Sequence, residues 1–211
     1  MTHDFLQILF TVLIVIDPFG IIPSYISQTS SLDKKTRKKI CLQATVIGGL
    51  VLFVFVFGGR AILSFFGIRP GAFYIAGGVL FFLIAVEMIY SKPTNRHVPN
   101  EEALVAEQQQ NSKYIALFPL AIPMIAGPGM ISVIMMYMTN PRPWVESLVL
   151  VSPAVLIGLI VMYITLRASD FLFKVLGEMG MFVLEKIMGL ILSGFAVQLI
   201  YNGLTSLGIL K

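Results

Sequence analysis

Four stretches of this sequence, residues 40–59, 114–141, 147–166 and 187–210, contain no charged side chain. Each reaches the roughly 18-residue length at which an apolar run reads as a membrane-spanning helix, because a rise of about 1.5 Å per residue must cover some 30 Å of hydrocarbon. Two further runs, 5–26 and 72–90, are nearly as apolar but hold one acid each, Asp17 and Glu87. Six spans follow. Only 12% of residues are charged and the mean hydropathy is +0.88, whereas a soluble domain is about one-quarter charged. The expected fold class is therefore an all-α integral membrane protein with six transmembrane helices.

The distribution of charge predicts orientation. Asp33-Lys34-Lys35-Thr36-Arg37-Lys38-Lys39 follows the first span and puts five cations in one short loop, which the positive-inside rule assigns to the cytoplasm. Alternation then sends Lys92, Arg96, Lys113, Arg167, Lys174 and Lys186 to the same side and Arg60, Arg69, Arg142 and Lys211 to the other, eleven cations against four. Both termini fall outside, and the polar segment 92–113 becomes a cytoplasmic linker. That segment divides the chain into a first three-helix unit, 1–91, and a second, 114–211. The first residues lack the basic region and cleavage site of a secretory signal, so the first span is expected to be retained. Residues 167–178 mix charges with Phe171, Leu172, Phe173, Val175 and Leu176, a pattern for a short amphipathic helix on the cytoplasmic face.

Several function classes lose support. The net charge of +4 comes from residues at span edges without interleaved aromatics, which argues against nucleic acid. His3 and His97 lie in polar segments, and the single Cys41 permits neither an internal disulfide nor a thiolate cluster. No metal site, cofactor or enzymatic activity is expected, since no His-Glu-x-x-His, Gly-x-Ser-x-Gly or Walker A pattern is present.

The first span is interrupted by Asp17-Pro18-Phe19-Gly20-Ile21-Ile22-Pro23, and the fourth by Pro119-Leu120-Ala121-Ile122-Pro123-Met124-Ile125-Ala126-Gly127-Pro128-Gly129. Proline removes a backbone donor and clashes with the preceding turn, so both helices are expected to break. Shifting the chain by 105 places Pro18 on Pro123, Pro23 on Pro128 and Ser27 on Ser132. A shift of 111 places Gly78, Ala85, Val86, Ile89 and Tyr90 on Gly189, Ala196, Val197, Ile200 and Tyr201, and Glu87 on Gln198. Both point to a duplicated three-helix unit. An odd helix number inverts the second copy, giving two inverted repeats with helices 1 and 4 broken near the bilayer midplane, an arrangement found in secondary transporters.

An acid at membrane depth costs at least about 2.5 kcal/mol and is a functional-site hypothesis by default. Asp17 can cap the second half-helix, with Pro18 as its first residue, or bind a substrate ammonium or a coupling proton or cation. The half-helix N-termini suit a carboxylate. The candidate substrate- or ion-binding residues are Asp17, Pro18, Gly20, Pro23, Pro123, Gly127, Pro128 and Gly129, with Glu87 and Gln198 from the third and sixth spans. Glu87 has two readings, a snorkelling acid at a helix end or a cavity-lining group. Glu185 and Lys186 read as structural residues of the first turns of the sixth span.

The segments 17–23 and 119–129, together with Ile187-Met188-Gly189-Leu190-Ile191-Leu192, resemble the hallmark segments of the MarC family of bacterial inner-membrane proteins, and the resemblance covers essentially the whole chain. It implies six transmembrane helices and a wider grouping that includes amino-acid exporters, some relatives being described as small neutral amino-acid transporters. The function expected is a secondary transporter, an exporter being one form, of a small solute such as a neutral amino acid, coupled to a proton or cation. The alternative is a non-transporting membrane scaffold or envelope-stress partner. The expected partners are the lipid bilayer, a small-molecule substrate and a coupling proton or cation, with a homo-oligomer left open.

Overall fold

The structure, a computed structural model, describes residues 2–90, 116–139 and 142–210; the linker 92–113 lies outside the described residues. Among the described residues every regular element is helical: α1 (Thr2–Ile16), α2 (Ile21–Thr29), α3 (Lys34–Phe65), α4 (Pro70–Tyr90), α5 (Ala116–Ile125), α6 (Pro128–Thr139), α7 (Trp144–Arg167) and α8 (Ser169–Ser206). Four of these, α3, α4, α7 and α8, are long and apolar enough to cross a membrane alone. The pairs α1–α2 and α5–α6 pass the same test together, each bent, by 42° and 45°. Six spans result if each bent pair counts as one.

The ends of α3 show how local sequence sets these bounds. Asp33 takes an extended backbone, and its carboxylate accepts the amides of Lys35 and Thr36 at 2.9 and 3.1 Å and the Thr36 hydroxyl at 2.6 Å. These contacts satisfy donors that the first turn leaves over. At the other end Gly67 adopts φ +66, where a side chain would be strained. Its amide reaches Ser64 O at 3.1 Å, and that of Ile68 reaches Leu63 O at 2.9 Å, a paired closure of the last turn. α8 is interrupted at Gly177, with φ +65 and ψ 179. Residues 169–176 thereby separate from the apolar body of the helix, where sequence places an amphipathic segment.

Small residues set the packing. α4 and α8 run antiparallel, so close that a β-carbon on Gly71 would lie 2.7 Å from Gly203 O and one on Gly203 would lie 2.7 Å from Gly71 O. Farther along, β-carbons on Gly78 and Gly189 would lie 2.8 and 3.2 Å from the Ala196 and Ala85 carbonyls. Such backbone proximity replaces the hydrophobic drive that lipid cannot supply. α3 packs against α5, α6 and α7, and α1 against α7 and α6. The core holds Ile22, Ile40, Leu52, Leu120, Ile134, Met162 and Leu199, all fully buried. The opposite faces of α4 and α8 expose Phe82, Leu83, Leu190 and Val197, a surface suited to acyl chains rather than water.

Candidate functional site

The first break lies between Ile16 and Ile21. Asp17 sits at φ +43, a left-handed conformation uncommon outside glycine and best tolerated by Asn and Asp. A residue preceding proline is also pushed out of the right-handed helical region, so Asp17-Pro18 ends α1 from both sides. The half-buried Asp17 carboxylate accepts the Gly20 amide at 3.1 Å, and Ile22 N reaches Phe19 O at 3.1 Å. Sequence suggests Pro18 as the first residue of the second half-helix; in the structure a turn, 18–20, intervenes and α2 starts at Ile21. A β-carbon on Gly20 would overlap Asp17 Oδ2, so the carboxylate occupies the space that a side chain at 20 would need. Pro23 lies in the first turn of α2 and is exposed, where a missing N–H removes no intrahelical bond.

The second break has different chemistry. Within α5, Phe118 (φ −127, ψ 127) and Ile122 (φ −131, ψ 121) are extended, and each precedes a proline, which disfavours helical geometry. The Ile122–Pro123 peptide is cis. The turn that follows is wide, with Ala126 N bonded to Ala121 O at 2.9 Å, an i to i−5 contact. Gly127 lies so near that a β-carbon would overlap Pro123 O. Pro128 opens α6, and Ile131 N reaches Gly127 O at 3.1 Å. Gly129 lies against the ring of Phe81 on α4.

The register differs from the 105-residue shift. Pro18 lies inside the first break, whereas Pro123 lies inside α5, before the second. By helix ends, Ile16 corresponds to Ile125, because the extended residues and the wide turn delay the break. Arg142 pairs with Asp4 at 3.0 Å, and the Thr11 and Tyr137 hydroxyls meet at 3.1 Å. The two broken helices are therefore antiparallel neighbours, with α1 against α6 and α2 touching α5.

Not all candidate residues join this region. Asp17, Pro18 and Gly20 belong to one break, Gly127, Pro128 and Gly129 to the other, with Pro123 exposed just before it. Glu87 is exposed near the end of α4. The α4–α8 register, Gly78 beside Ala196 and Ala85 beside Gly189, puts position 87 near 187. Gln198 is thus about 11 residues, roughly 16 Å, farther along. It is exposed and donates to Asn202 Oδ1 at 2.9 Å. Glu87 and Gln198 are not brought together.

Two features escape the sequence reading. Glu185 lies within electrostatic range of Asp17, and its neighbour Lys186 donates to Met88 O at 2.7 Å while its ammonium sits 4.2 Å from the Phe182 ring centroid. The other is the Thr11–Tyr137 contact. A signal existed for Glu185, as an acid adjoining an apolar run, but not for the packing that sets it within electrostatic range of Asp17. Two pockets open elsewhere. One, of about 440 Å³, is lined by Arg60, Leu63, Ser64, Ile68, Pro70, Thr139 and Arg142, with the Arg60 guanidinium bonded to the Met138 and Arg142 carbonyls. The other lies at the opposite end, among Tyr25, Arg37 and Asp170. Neither is lined by Asp17. Among the described residues no three His, Cys, Asp or Glu side chains cluster to hold a metal.

Comparison with known proteins agrees with these motifs. Residues 2–207 match the model of the MarC family integral membrane protein. A UPF0056 membrane protein of Methanocaldococcus jannaschii is 35% identical over 194 residues, 90% of each chain. One from Pyrococcus horikoshii is 33% identical, over 94% of this chain and 93% of its own. The UPF0056 inner membrane protein YhgN of Escherichia coli is 31% identical over 91% of each. No solved structure matches. The chain belongs to the MarC family of integral membrane proteins.

Proposed function

We propose that this protein is a secondary transporter of a small solute such as a neutral amino acid, coupled to a proton or cation, with its site at the two helix breaks. The observation that carries the reading is the antiparallel pairing of two interrupted helices, one with a half-buried carboxylate and one with a half-helix opening on Pro128. An amino-acid ammonium or a coupling cation suits Asp17, and the substrate carboxylate suits the start of α6. Glu185 adds a second acid in electrostatic range.

Packing supports an inverted repeat. Under the 111-residue shift, Gly78 maps to Gly189 and Ala85 to Ala196, so the Gly78–Ala196 and Gly189–Ala85 approaches map onto one another. Gly48 on α3 abuts Ile125 at the end of α5, while Gly158 on α7 abuts Val12 and Ile16 at the end of α1. These contacts also interchange between halves. We assign the end carrying Lys34, Arg37, Lys38 and Arg167 to the cytoplasm.

The test is flux in proteoliposomes across a panel of small solutes, with imposed proton and sodium gradients. Solute-specific flux that follows a gradient and is lost in folded Asp17→Asn and Asp17→Ala variants is expected. Flux unchanged in both variants would remove Asp17 from the mechanism, and no flux across the panel would favour a scaffold.

A further inference from the structure

The basic end of the bundle carries a pocket of about 240 Å³ that plays no part in the proposed transport site. Tyr25, Lys34, Arg37, Lys38, Arg167 and Asp170 line it, with Leu166 and Ser169. Four cations thus face one carboxylate. That carboxylate is engaged, since Arg37 Nη1 and Nη2 donate to the two Asp170 oxygens at 2.9 and 2.6 Å. The same guanidinium stacks 5.5 Å from the Tyr25 ring centroid, and Tyr25 Oη donates to Arg37 O at 3.1 Å. Arg37 is thereby held in place, with its Nε buried and without an acceptor among the described residues. Arg167, at the end of α7, is held by the Tyr163 hydroxyl at 3.1 Å and stacks on that ring.

A topology signal accounts for cations in the loop before α3. It does not require them to converge with Arg167, from a helix over a hundred residues away, around one concavity. Cations in the first turn of α3 also oppose the helix dipole, and an anion in the pocket would relieve both sources of repulsion. The neighbouring surface indicates the depth. Beside Ser169 and Asp170, the segment 169–176 and the residues after it expose Phe171, Val175 and Met179 at 67%, 64% and 72%, a pattern suited to the acyl–headgroup boundary. Basic pockets between membrane helices at that level accept anionic headgroups.

We propose that this pocket binds a phosphate oxyanion, its source being the headgroup of an anionic phospholipid or a soluble phosphate. The inference is independent of transport. Lys34 and Lys38 are exposed, so Lys34→Gln with Lys38→Gln removes two cations and leaves the Arg37–Asp170 pair intact.

The experiment uses the full chain in detergent. Native mass spectrometry measures retention of phosphatidylglycerol against phosphatidylcholine, and thermal shifts are recorded with inorganic phosphate. Preferential retention of phosphatidylglycerol, weakened on the order of thirtyfold by the double variant and restored by Lys34→Arg with Lys38→Arg, supports the site and assigns it to lipid. Stabilisation by inorganic phosphate at matched ionic strength, dependent on the same lysines and without lipid preference, supports the site and assigns it to a soluble anion. Equal retention of both lipids with no phosphate effect, or a double variant that binds like the parent chain while melting at the same temperature, overturns the proposal.

Discussion

Replacing Gly20 with alanine isolates the carboxylate that shapes the first break. Gly20 itself has φ −64 and ψ −23, an ordinary helical conformation, so alanine brings no backbone strain and should gain about 0.4–1 kcal/mol by restricting the unfolded chain. The obstacle is the Asp17 side chain. The new β-carbon would overlap Oδ2, so the carboxyl group must rotate away and give up the 3.1 Å bond from Gly20 N. Losing a hydrogen bond at a half-buried site costs about 1–3 kcal/mol, so Gly20→Ala should destabilise by roughly 1–2 kcal/mol net. Asp17→Ala loses the same bond, and it also puts alanine at φ +43. In the double variant the clash is gone and the bond is already lost, so its cost should match or fall slightly below that of Asp17→Ala alone. A double-mutant cycle by reversible unfolding in detergent should therefore give a coupling equal to the cost of the lost bond, about 1–3 kcal/mol. Additivity within about 0.5 kcal/mol, the behaviour of independent sites, would refute the coupling of Asp17 to Gly20.

Gly78→Ala and Gly189→Ala should each cost about 1–3 kcal/mol by forcing α4 and α8 apart, whereas Gly194→Ala, with open space at its β-carbon, should be neutral or mildly stabilising; equal melting temperatures for all three would undo the packing assignment. The Thr36 hydroxyl and the Thr36 and Lys35 amides hold the Asp33 carboxyl below the usual carboxylate range. That cap is fully present above the ordinary value near ~3.9 and is lost as pH falls through the lower folded value. Protection of the Lys35 and Thr36 amides from hydrogen exchange, relative to the intrinsic rate at each pH, should fall over that acidic window and should be low at every pH in Asp33→Ala. Cys41 is buried and donates to the Tyr25 hydroxyl at 3.1 Å, so a membrane-permeant maleimide should label it only after denaturation; rapid labelling of the native chain would contradict this placement.

Much of the fold was legible because membrane spans depend on length and apolarity, which sequence states directly. The apolar runs 40–59 and 72–90 fall within α3 and α4, and the breaks fall within the two proline-bearing segments. The 105-residue shift sets Asp17-Pro18 on Ile122-Pro123, a register the backbone does not keep, because matching prolines is not matching backbone. Phe118 and Ile122, extended before their prolines, consume residues at a different rise from a helix and shift the break to Ala126-Gly127. Long-range partners were illegible for another reason. Arg37–Asp170 and Asp4–Arg142 join positions far apart in sequence, and nothing local in either member specifies the other. The 111-residue shift sets Glu87 on Gln198, yet the antiparallel packing of α4 and α8 separates positions so aligned unless they lie near the middle of the helix pair.

Under the proposed inverted repeat, that register determines which equivalent residues the two halves can share. In α4 and α8 the contact register pairs positions summing to 274, as Gly78 with Ala196 and Ala85 with Gly189 do. A 111-residue repeat therefore brings equivalent residues face to face only near positions 81–82 and 192–193. Phe81 and Leu192 are buried there, and the Phe81 ring packs edge-on to Phe195 at 6.1 Å. The centre of this helix pair is thus apolar. Polar chemistry must come from the broken helices beside it, which Phe81 reaches through Gly129. There the halves diverge: the first break is closed by its own carboxylate on the Gly20 amide, while the second has Ala126 and Gly127, with no acid, before a proline that brings no amide. On the transport reading proposed above, that asymmetry would give a solute with one cationic and one anionic group a single preferred direction across the two breaks.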